Sequence, residues 1–240
     1  MTDLLSFTLD AHGGLKKWEK FSNISLSAKI DGKTWERKQQ PGILEDVKAF
    51  VDTRRQSGVY FPQDDTNSRI LYTPNRVAFE SASGDIIEEL LKPRQSFNGH
   101  LRATPWSRLQ AFYFAGYAIW TYFNVPFIFA SPGYEVDEIE PWQEEGEEWR
   151  RLRVRFPDSV ATHSSVQTFY IDRTGLIRRH DYNVEISENV ASAHYLFNYT
   201  DVQGIKIATH RRVYLRKEDN TSLQPEPLLV NIHFGDISID

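Results

Sequence analysis

An uncharged, aromatic-rich stretch from Leu109 to Gly133 is the feature that most restricts how this chain can fold. Its first part, LQAFYFAGYAIWTYFN, is apolar around nearly its whole helical circumference. That pattern is typical of a helix buried on all sides. The dipeptide Thr104-Pro105 has the composition of a helix start. We therefore predict a fully buried helix over residues 104–124.

The same stretch is long enough to cross a bilayer, so a membrane interpretation has to be weighed. It contains Gln110, Thr121, Asn124 and Pro126. Its tryptophans and tyrosines are typical of membrane interfaces rather than of the bilayer centre. We therefore expect no stable membrane span, and instead a sheet that curves around the helix.

Alternating polar and apolar residues fill most of the remaining chain, as in NISLSAKI at 23–30. Short turns separate roughly eleven or twelve such runs, which favours consecutive antiparallel strands. Residues 2–11 carry a capping Thr2 and an apolar stripe, which indicate an N-terminal helix. No linker or repeat divides the chain, so we predict a single domain over residues 1–240.

Two local predictions are specific. Asp31-Gly32-Lys33 has the composition of a hairpin turn, so TWERKQ at 34–39 is expected to return as a strand. IIEELL at 86–91 fits a strand or a helix, and the short extended runs around it favour a strand.

Together these patterns predict a mainly β fold with helices (α+β). A strongly curved antiparallel half-barrel of roughly 11 strands would wrap around the aromatic helix, with the N-terminal helix beside it.

Charge and cysteine content exclude several classes of function. The net charge is −5, and phosphate-binding surfaces usually need a basic excess, so we expect no nucleic-acid partner. The chain contains no cysteine, which excludes disulfides and thiolate chemistry. Its first residues, MTDLLSFTLDAHGG, lack the features of a signal peptide. We therefore expect a soluble, cytoplasmic protein and leave its oligomeric state open.

The segment RRHDYNVEI at 178–186 holds the candidate catalytic residues. Strand alternation places His180 and Tyr182 on one apolar face and Asp181 on the other. A hairpin with the next strand would bring His194 close to them. An imidazole beside a phenol can transfer protons near neutral pH. Alternatively, these histidines are core residues with satisfied hydrogen bonds.

The sequence indicates neither a metal site nor a cofactor. The histidines lack the spacing of metal ligands. No nucleotide-binding or hydrolase motif is present. We therefore expect no metal and no cofactor.

The aromatic helix supplies most candidate ligand-binding residues. Trp106, Tyr113, Tyr117 and Trp120 would offer apolar walls, some with polar tips, if the sheet is too wide for the helix to fill. Arg153 shares a strand face with two other arginines. That face either is solvated or forms an anion-binding wall inside the concavity.

The order of elements resembles the lipoprotein-carrier fold of the bacterial LolA and LolB type. Several stretches also resemble a family of uncharacterised bacterial proteins. They are AHGGLKKW (11–18), GYAIWTY (116–122), PFIFASPGYEVDEIEPW (126–142), EEWRRLRVRFPDSVATHS (147–164), GLIRRHDYNVEI (175–186), SAHYLF (192–197) and THRRVY (209–214). The carrier resemblance implies a hydrophobic ligand in the concavity, although this chain departs from such carriers in having no recognisable signal sequence.

Three functional hypotheses follow. The first is binding of a hydrophobic or amphipathic small molecule, lipid-like or polyketide-like, in the concave cavity. The second is an enzyme, such as a cyclase, isomerase or hydrolase of a hydrophobic metabolite, with His180 and Tyr182 as acid–base groups. The third is a packed scaffold or interaction module without a cavity.

Overall fold

The computed structural model describes residues 2–62 and 67–240. Within that part of the chain, four α-helices and one long sheet make up the fold. The helices are α1 (Asp3–Ala11), α2 (Leu15–Trp18), α3 (Lys33–Arg37) and α4 (Arg108–Asn124). The strands are β1 (Asn23–Asp31), β2 (Val47–Asp52), β3 (Gly58–Pro62), β4 (Ser68–Thr73), β5 (Arg76–Ser81), β6 (Ile86–Leu91), β7 (Glu135–Glu144), β8 (Glu147–Arg155), β9 (Val166–Ile171), β10 (Ile177–Val184), β11 (Val190–Val202), β12 (Ile205–Leu215) and β13 (Val230–Ile239).

The sheet is antiparallel, curved and not closed into a barrel. Its strand order is β6-β5-β4-β3-β2-β1-β13-β12-β11-β10-β9-β8-β7. Each half of the chain is a meander, and the pairing of β1 with β13 joins the two halves. Strands β6 and β7 are therefore the edges. The predicted α+β half-barrel is confirmed, with thirteen strands in the described residues rather than roughly eleven.

Helix α4 lies in the concavity of the sheet and is buried on every side, as its uncharged circumference predicts. It packs against β4 and β5. The contact is close at Gly116, where an added Cβ would lie 2.4 Å from the Tyr72 ring. None of the helices in the described residues is long and apolar enough to span a membrane.

The start of α4 differs from the prediction. The helix begins at Arg108 rather than near Thr104, because Ser107 caps it. The Ser107 hydroxyl accepts a hydrogen bond from the Gln110 backbone N–H (3.2 Å), and Gln110 Oε1 accepts one from the Ser107 N–H (2.9 Å). This reciprocal capping box outweighs the preference of proline for a first helical position.

The return strand predicted at 34–39 is wrong, because residues Lys33–Arg37 form α3. The side chains of KTWER are mostly good helix formers and do not alternate. Lys33 and Thr34 also donate backbone hydrogen bonds to the carbonyls of Leu228 and Leu229, which lie just before β13. The strand predicted at 86–91 is confirmed as β6.

Candidate functional site

A group of buried histidines and tyrosines lies between α4 and the inner face of the sheet. We call it the His–Tyr cluster. Its members are His163, His180, His194, Tyr117, Tyr122 and Tyr182, each with at most 7% of its surface exposed. Buried polar side chains are costly unless they are hydrogen-bonded. The hydrogen-bond partners of each ring therefore show which members of the cluster are satisfied within the protein.

Strands β10 and β11 supply half of the cluster. His180 lies directly opposite His194 in the antiparallel pairing, and their rings are 5.8 Å apart. The Tyr182 hydroxyl lies 3.4 Å from His194 Nδ1, a long hydrogen bond. The other ring nitrogen of His194, Nε2, is buried without a partner. The alternation of β10 places Asp181 on the opposite face, as the sequence predicts.

His163 precedes β9 and joins the strands to α4. Its Nδ1 and Nε2 lie 3.2 and 3.1 Å from the hydroxyls of Tyr117 and Tyr122. Its ring also stacks on Tyr182, with the centroids 3.9 Å apart. Because His163 lies outside the regular strands, no alternation pattern points to it. Sequence reasoning did not select it as a site residue.

Burial controls the protonation of these imidazoles. Together with the positive charge of Arg94, it lowers the pKa of His163 to about 3. It also holds the pKa of His180 and of His194 well below the ordinary value. His180 Nε2 is hydrogen-bonded to Gln167 Oε1. The three histidines are therefore neutral at pH 7 and are weak proton acceptors in this conformation.

Arg211 adds a positive charge to the inner face. Only 4% of its surface is exposed. Its Nη2 donates to the Tyr122 carbonyl (3.1 Å), and its guanidinium lies 4.8 Å from the centroid of the Tyr122 ring. Its Nε has no partner, and no acidic side chain of the described residues forms an ion pair with it. A buried charge without a counter-ion is costly.

A first cavity, of about 20 Å³, lies beside Arg211. Its polar lining includes His12, Thr121, His180 and Tyr199, and its other walls are mainly apolar. That volume holds about one water molecule.

A second cavity, of about 40 Å³, lies on the other side of the His–Tyr cluster, between the loop before α4 and strands β10–β13. Trp106, Phe114 and five aliphatic side chains form its apolar walls, and Thr34, Tyr182, Ser187 and Ser192 supply uncharged polar groups. The aliphatic side chains are Val184, Val190, Val213, Leu229 and Val230. The surface of the cavity is mainly apolar, which is usual for a small-molecule site.

Three cations also line the second cavity. We call them the cationic rim, and they are Arg37, Lys38 and Arg102. Arg37 and Lys38 come from the end of α3, and Arg102 comes from the connection that precedes α4. These segments are far apart in sequence, so no local motif marks the rim.

The structure separates the residues predicted to bind a ligand. Trp106 lines the second cavity. Tyr117 belongs to the His–Tyr cluster. Tyr113 packs against Tyr72 and Phe97, and it lines a third, more open cavity of about 440 Å³ together with Arg94. The Trp120 Nε1–H donates to the backbone carbonyls of Asp52 and Arg55 (2.8 and 2.9 Å). Trp120 therefore anchors α4 to the turn after β2 instead of lining a cavity.

Arg153 does not reach the interior. It is exposed and pairs with Asp137 on β7 at 3.2 Å. Its neighbours Leu152 and Val154 point inward, so alternation turns Arg153 outward. Of the two faces considered from the sequence, the structure shows the solvated one.

The outer face of β10 carries a second buried polar group, which we call the outer ionic network. Arg179 is fully buried there and pairs with Asp181 (2.7 Å) and Glu144 (2.6 Å). It also donates to the Asn220 carbonyl (2.7 Å). The Tyr195 hydroxyl donates to Glu144 (2.6 Å). This network joins β7, β10 and β11 to the segment before β13.

Among the residues that the structure describes, no group of three or more histidine, aspartate or glutamate side chains is arranged to hold a metal ion.

Comparisons with known proteins relate the fold, but not the sequence, to other chains. No protein-family model matches this chain, and no curated protein matches it. A solved structure of a DUF1329 family protein from Desulfovibrio piger aligns with 100% of this chain and 94% of its own, at a TM-score of 0.57 and 12% identity. A LolA superfamily protein from Nitrosomonas europaea aligns with 97% of this chain and 92% of its own, at a TM-score of 0.54 and 7% identity. The chain therefore has a LolA-like fold.

Proposed function

We propose that this protein binds a hydrophobic or amphipathic small molecule of a lipid-like kind between α4 and the inner face of the sheet. The observation that carries the proposal is the second cavity, because its surface is mainly apolar and is formed by aromatic and aliphatic side chains. The LolA-like fold supports the proposal, since a curved sheet with one helix in its concavity offers an interior site.

A lipid-sized ligand needs several hundred Å³, so the site has to widen when the ligand enters. The connection over residues 98–107, before α4, covers this side of the interior and has no regular secondary structure. It is held by Trp106, whose backbone N–H donates to the Lys38 carbonyl (3.0 Å). Outward movement of this connection would enlarge the second cavity without breaking the sheet.

The first experiment is to purify the protein from its own host, extract it with organic solvent and analyse the extract by mass spectrometry. A stoichiometric apolar compound is expected. The Val213→Trp variant, which fills the second cavity, should lose the compound. The matched control is Leu91→Trp, because Leu91 is 62% exposed on the edge strand β6.

Binding of the neutral fluorophore N-phenyl-1-naphthylamine tests the same site when the extract is empty. We expect saturable binding by the wild type and by Leu91→Trp, and a large loss of affinity in Val213→Trp. Absence of saturable binding, together with an empty extract, would contradict the proposal and favour a packed scaffold or interaction module.

A second candidate function is an enzyme that acts on the same ligand. The observation in its favour is that Tyr182, which lines the second cavity, is hydrogen-bonded to His194. His180 is the predicted acid–base residue and lies 4.8 Å from Tyr182 between ring centroids. This hypothesis expects turnover of the extracted compound that disappears in His180→Ala while binding survives. Equal turnover in that variant would contradict the predicted role of His180.

A further inference from the structure

We propose that the cationic rim of Arg37, Lys38 and Arg102 binds the acidic headgroup, a carboxylate or a phosphate, of an amphiphile whose apolar tail occupies the second cavity. This inference rests on the proposed function and adds to it the chemical class of the ligand.

The rim carries more positive charge than the protein neutralises. None of Arg37, Lys38 and Arg102 forms an ion pair with an acidic side chain of the described residues. The nearest carboxylate, Glu188, accepts a hydrogen bond from the Arg102 backbone N–H. Glu188 keeps its negative charge in this contact and attracts both Lys38 and Arg102. Three cations therefore face one exposed carboxylate, and an excess of positive charge remains. An anion placed among them would be attracted by all three.

Lys38 is the buried member of the rim, with 1% of its surface exposed. Its Nζ has only two long contacts, to the carbonyls of Leu101 (3.5 Å) and Thr104 (3.4 Å). It also lies 4.7 Å from the centroid of the Trp106 ring. A lysine ammonium can donate three hydrogen bonds, and shorter contacts than these are normal. Lys38 therefore retains the capacity to donate to a ligand.

The lowered pKa of Lys38 also indicates that its ammonium lacks a neutralising partner. Burial, with a smaller contribution from the neighbouring Arg37, lowers its pKa to about 8. An anion bound beside Lys38 would favour the charged ammonium and raise this pKa again. Arg102 shows the same shortage of partners, because its Nε is buried and has none.

The lining of the site divides into a charged part and an apolar part. The cations come from α3 and from the connection before α4, and they lie close enough for Arg37 and Arg102 both to lower the pKa of Lys38. The aliphatic side chains, such as Val213, come from β10–β13 and the residue before β13. A molecule with an acidic group at one end and an apolar chain at the other matches this division.

The test compares three twelve-carbon probes: dodecanoate, dodecyl phosphate and the neutral 1-dodecanol. The affinity of each probe is measured by its displacement of bound N-phenyl-1-naphthylamine from the protein at pH 7 and low salt. For the wild type we expect at least one of the two acids to bind about tenfold or more tightly than the alcohol. Whichever acid binds more tightly identifies the headgroup as a carboxylate or a phosphate.

Variants of the rim test whether these three cations cause the tighter binding of the acids. Lys38→Met and the double variant Arg37→Gln/Arg102→Gln should each reduce the preference for the acid and leave the affinity for 1-dodecanol unchanged. The double variant alters only half-buried side chains, so it tests the rim even when Lys38→Met does not fold. The control is Arg153→Gln, an exposed arginine on the outer face, which should keep the full preference.

The pH dependence gives an independent readout. Lys38 is charged below its pKa, so the preference for the acid should weaken as the pH rises through about 8 in the wild type. It should not weaken in this way in Lys38→Met. Equal binding of acids and alcohol by the wild type would overturn the headgroup assignment and leave the proposed function standing. Failure of all three probes to bind would overturn both.

Discussion

The outer and inner faces of the sheet around β10–β12 bury polar side chains in opposite ways. On the outer face, Arg179 has two carboxylate partners and a carbonyl acceptor. On the inner face, Arg211 of β12 is almost as buried but has one carbonyl acceptor and no carboxylate partner in the described chain. One inner histidine is also short of a partner, since His194 Nε2 has none.

This difference in the number of partners distinguishes a structural network on the outer face from a candidate site on the inner face. A buried charge whose hydrogen bonds are complete rigidifies the elements that it joins. A buried charge without a counter-ion destabilises the fold, and such features concentrate where function requires them. The first and second cavities adjoin the inner face at His180 and Tyr182. The proposed function therefore uses the inner face, whereas the complete network of the outer face contributes stability.

The largest expected effect is the loss of stability that the buried histidines of the inner face cause at acidic pH. The inner histidines His163, His180 and His194 are neutral in the folded protein because burial lowers each pKa. In the unfolded chain each takes up a proton near pH 6.5. The unfolded state then binds more protons, so stability falls as the pH falls. We expect these three imidazoles to lower the free energy of unfolding by roughly 6 kcal/mol between pH 7 and pH 5, about 2 kcal/mol each. Buried His12, whose pKa is lowered to about 4, should add a similar loss.

Urea unfolding at pH 7 and pH 5 measures this loss. The His180→Gln variant should remove about 2 kcal/mol of it. A free energy of unfolding that does not change over this interval would show that the imidazoles are not kept neutral by burial.

The next largest effect should come from the outer ionic network. Arg179→Met leaves Asp181 buried without its principal partner, so we expect a loss of about 3–5 kcal/mol in the free energy of unfolding. Urea unfolding at pH 7 measures it. The matched control is Arg212→Met, because Arg212 is exposed and should change stability by no more than about 0.5 kcal/mol. A loss under about 1 kcal/mol in Arg179→Met would contradict the structural role of the network.

Replacing Arg211 by methionine should not lower the free energy of unfolding, in contrast to Arg179→Met. Arg211→Met removes a buried charge that has no counter-ion and keeps an apolar side chain of similar length. We expect a free energy of unfolding that is unchanged or raised by up to about 3 kcal/mol. The comparison uses the same urea experiment and the same Arg212→Met control. A loss above about 2 kcal/mol would show that a bound group compensates the charge of Arg211.

The smallest effect should be that of Tyr182→Phe. Its hydrogen bond to His194 is long at 3.4 Å, so removing the hydroxyl should cost less than about 1 kcal/mol. Thermal unfolding at pH 7 measures it, with Tyr170→Phe as the control. The Tyr170 hydroxyl donates to Asp181 at 2.7 Å, so its loss should be the larger one. The reverse order would contradict the comparison between the two faces.

Much of the fold was predictable because it depends on local patterns. The uncharged circumference of α4 requires burial on all sides, and alternation in the strands indicates a sheet with one apolar face. The prediction failed at α3, where the turn residues before it suggested a hairpin. The backbone hydrogen bonds of α3 to Leu228 and Leu229 come from the far end of the chain, and no local pattern carries that information.

The candidate site was predictable only where a single strand or hairpin builds it. Alternation placed His180 and Tyr182 together, and the β10–β11 pairing brought His194 opposite. The roles of these residues stay predictions. Arg211 could have been selected, because it alternates with Val213 on the inner face of β12, but its position between His210 and Arg212 suggested a solvated run.

By itself, the sequence determined that a buried aromatic helix lies inside an antiparallel sheet, because side-chain periodicity decides which faces can meet water. Only the tertiary structure decided where the cavities lie and which charges lack partners. The cationic rim combines α3 with a connection more than sixty residues away, and His163 reaches the cluster from outside the strands. Such meetings depend on how the sheet curves around α4, and that curvature is a property of all thirteen paired strands together.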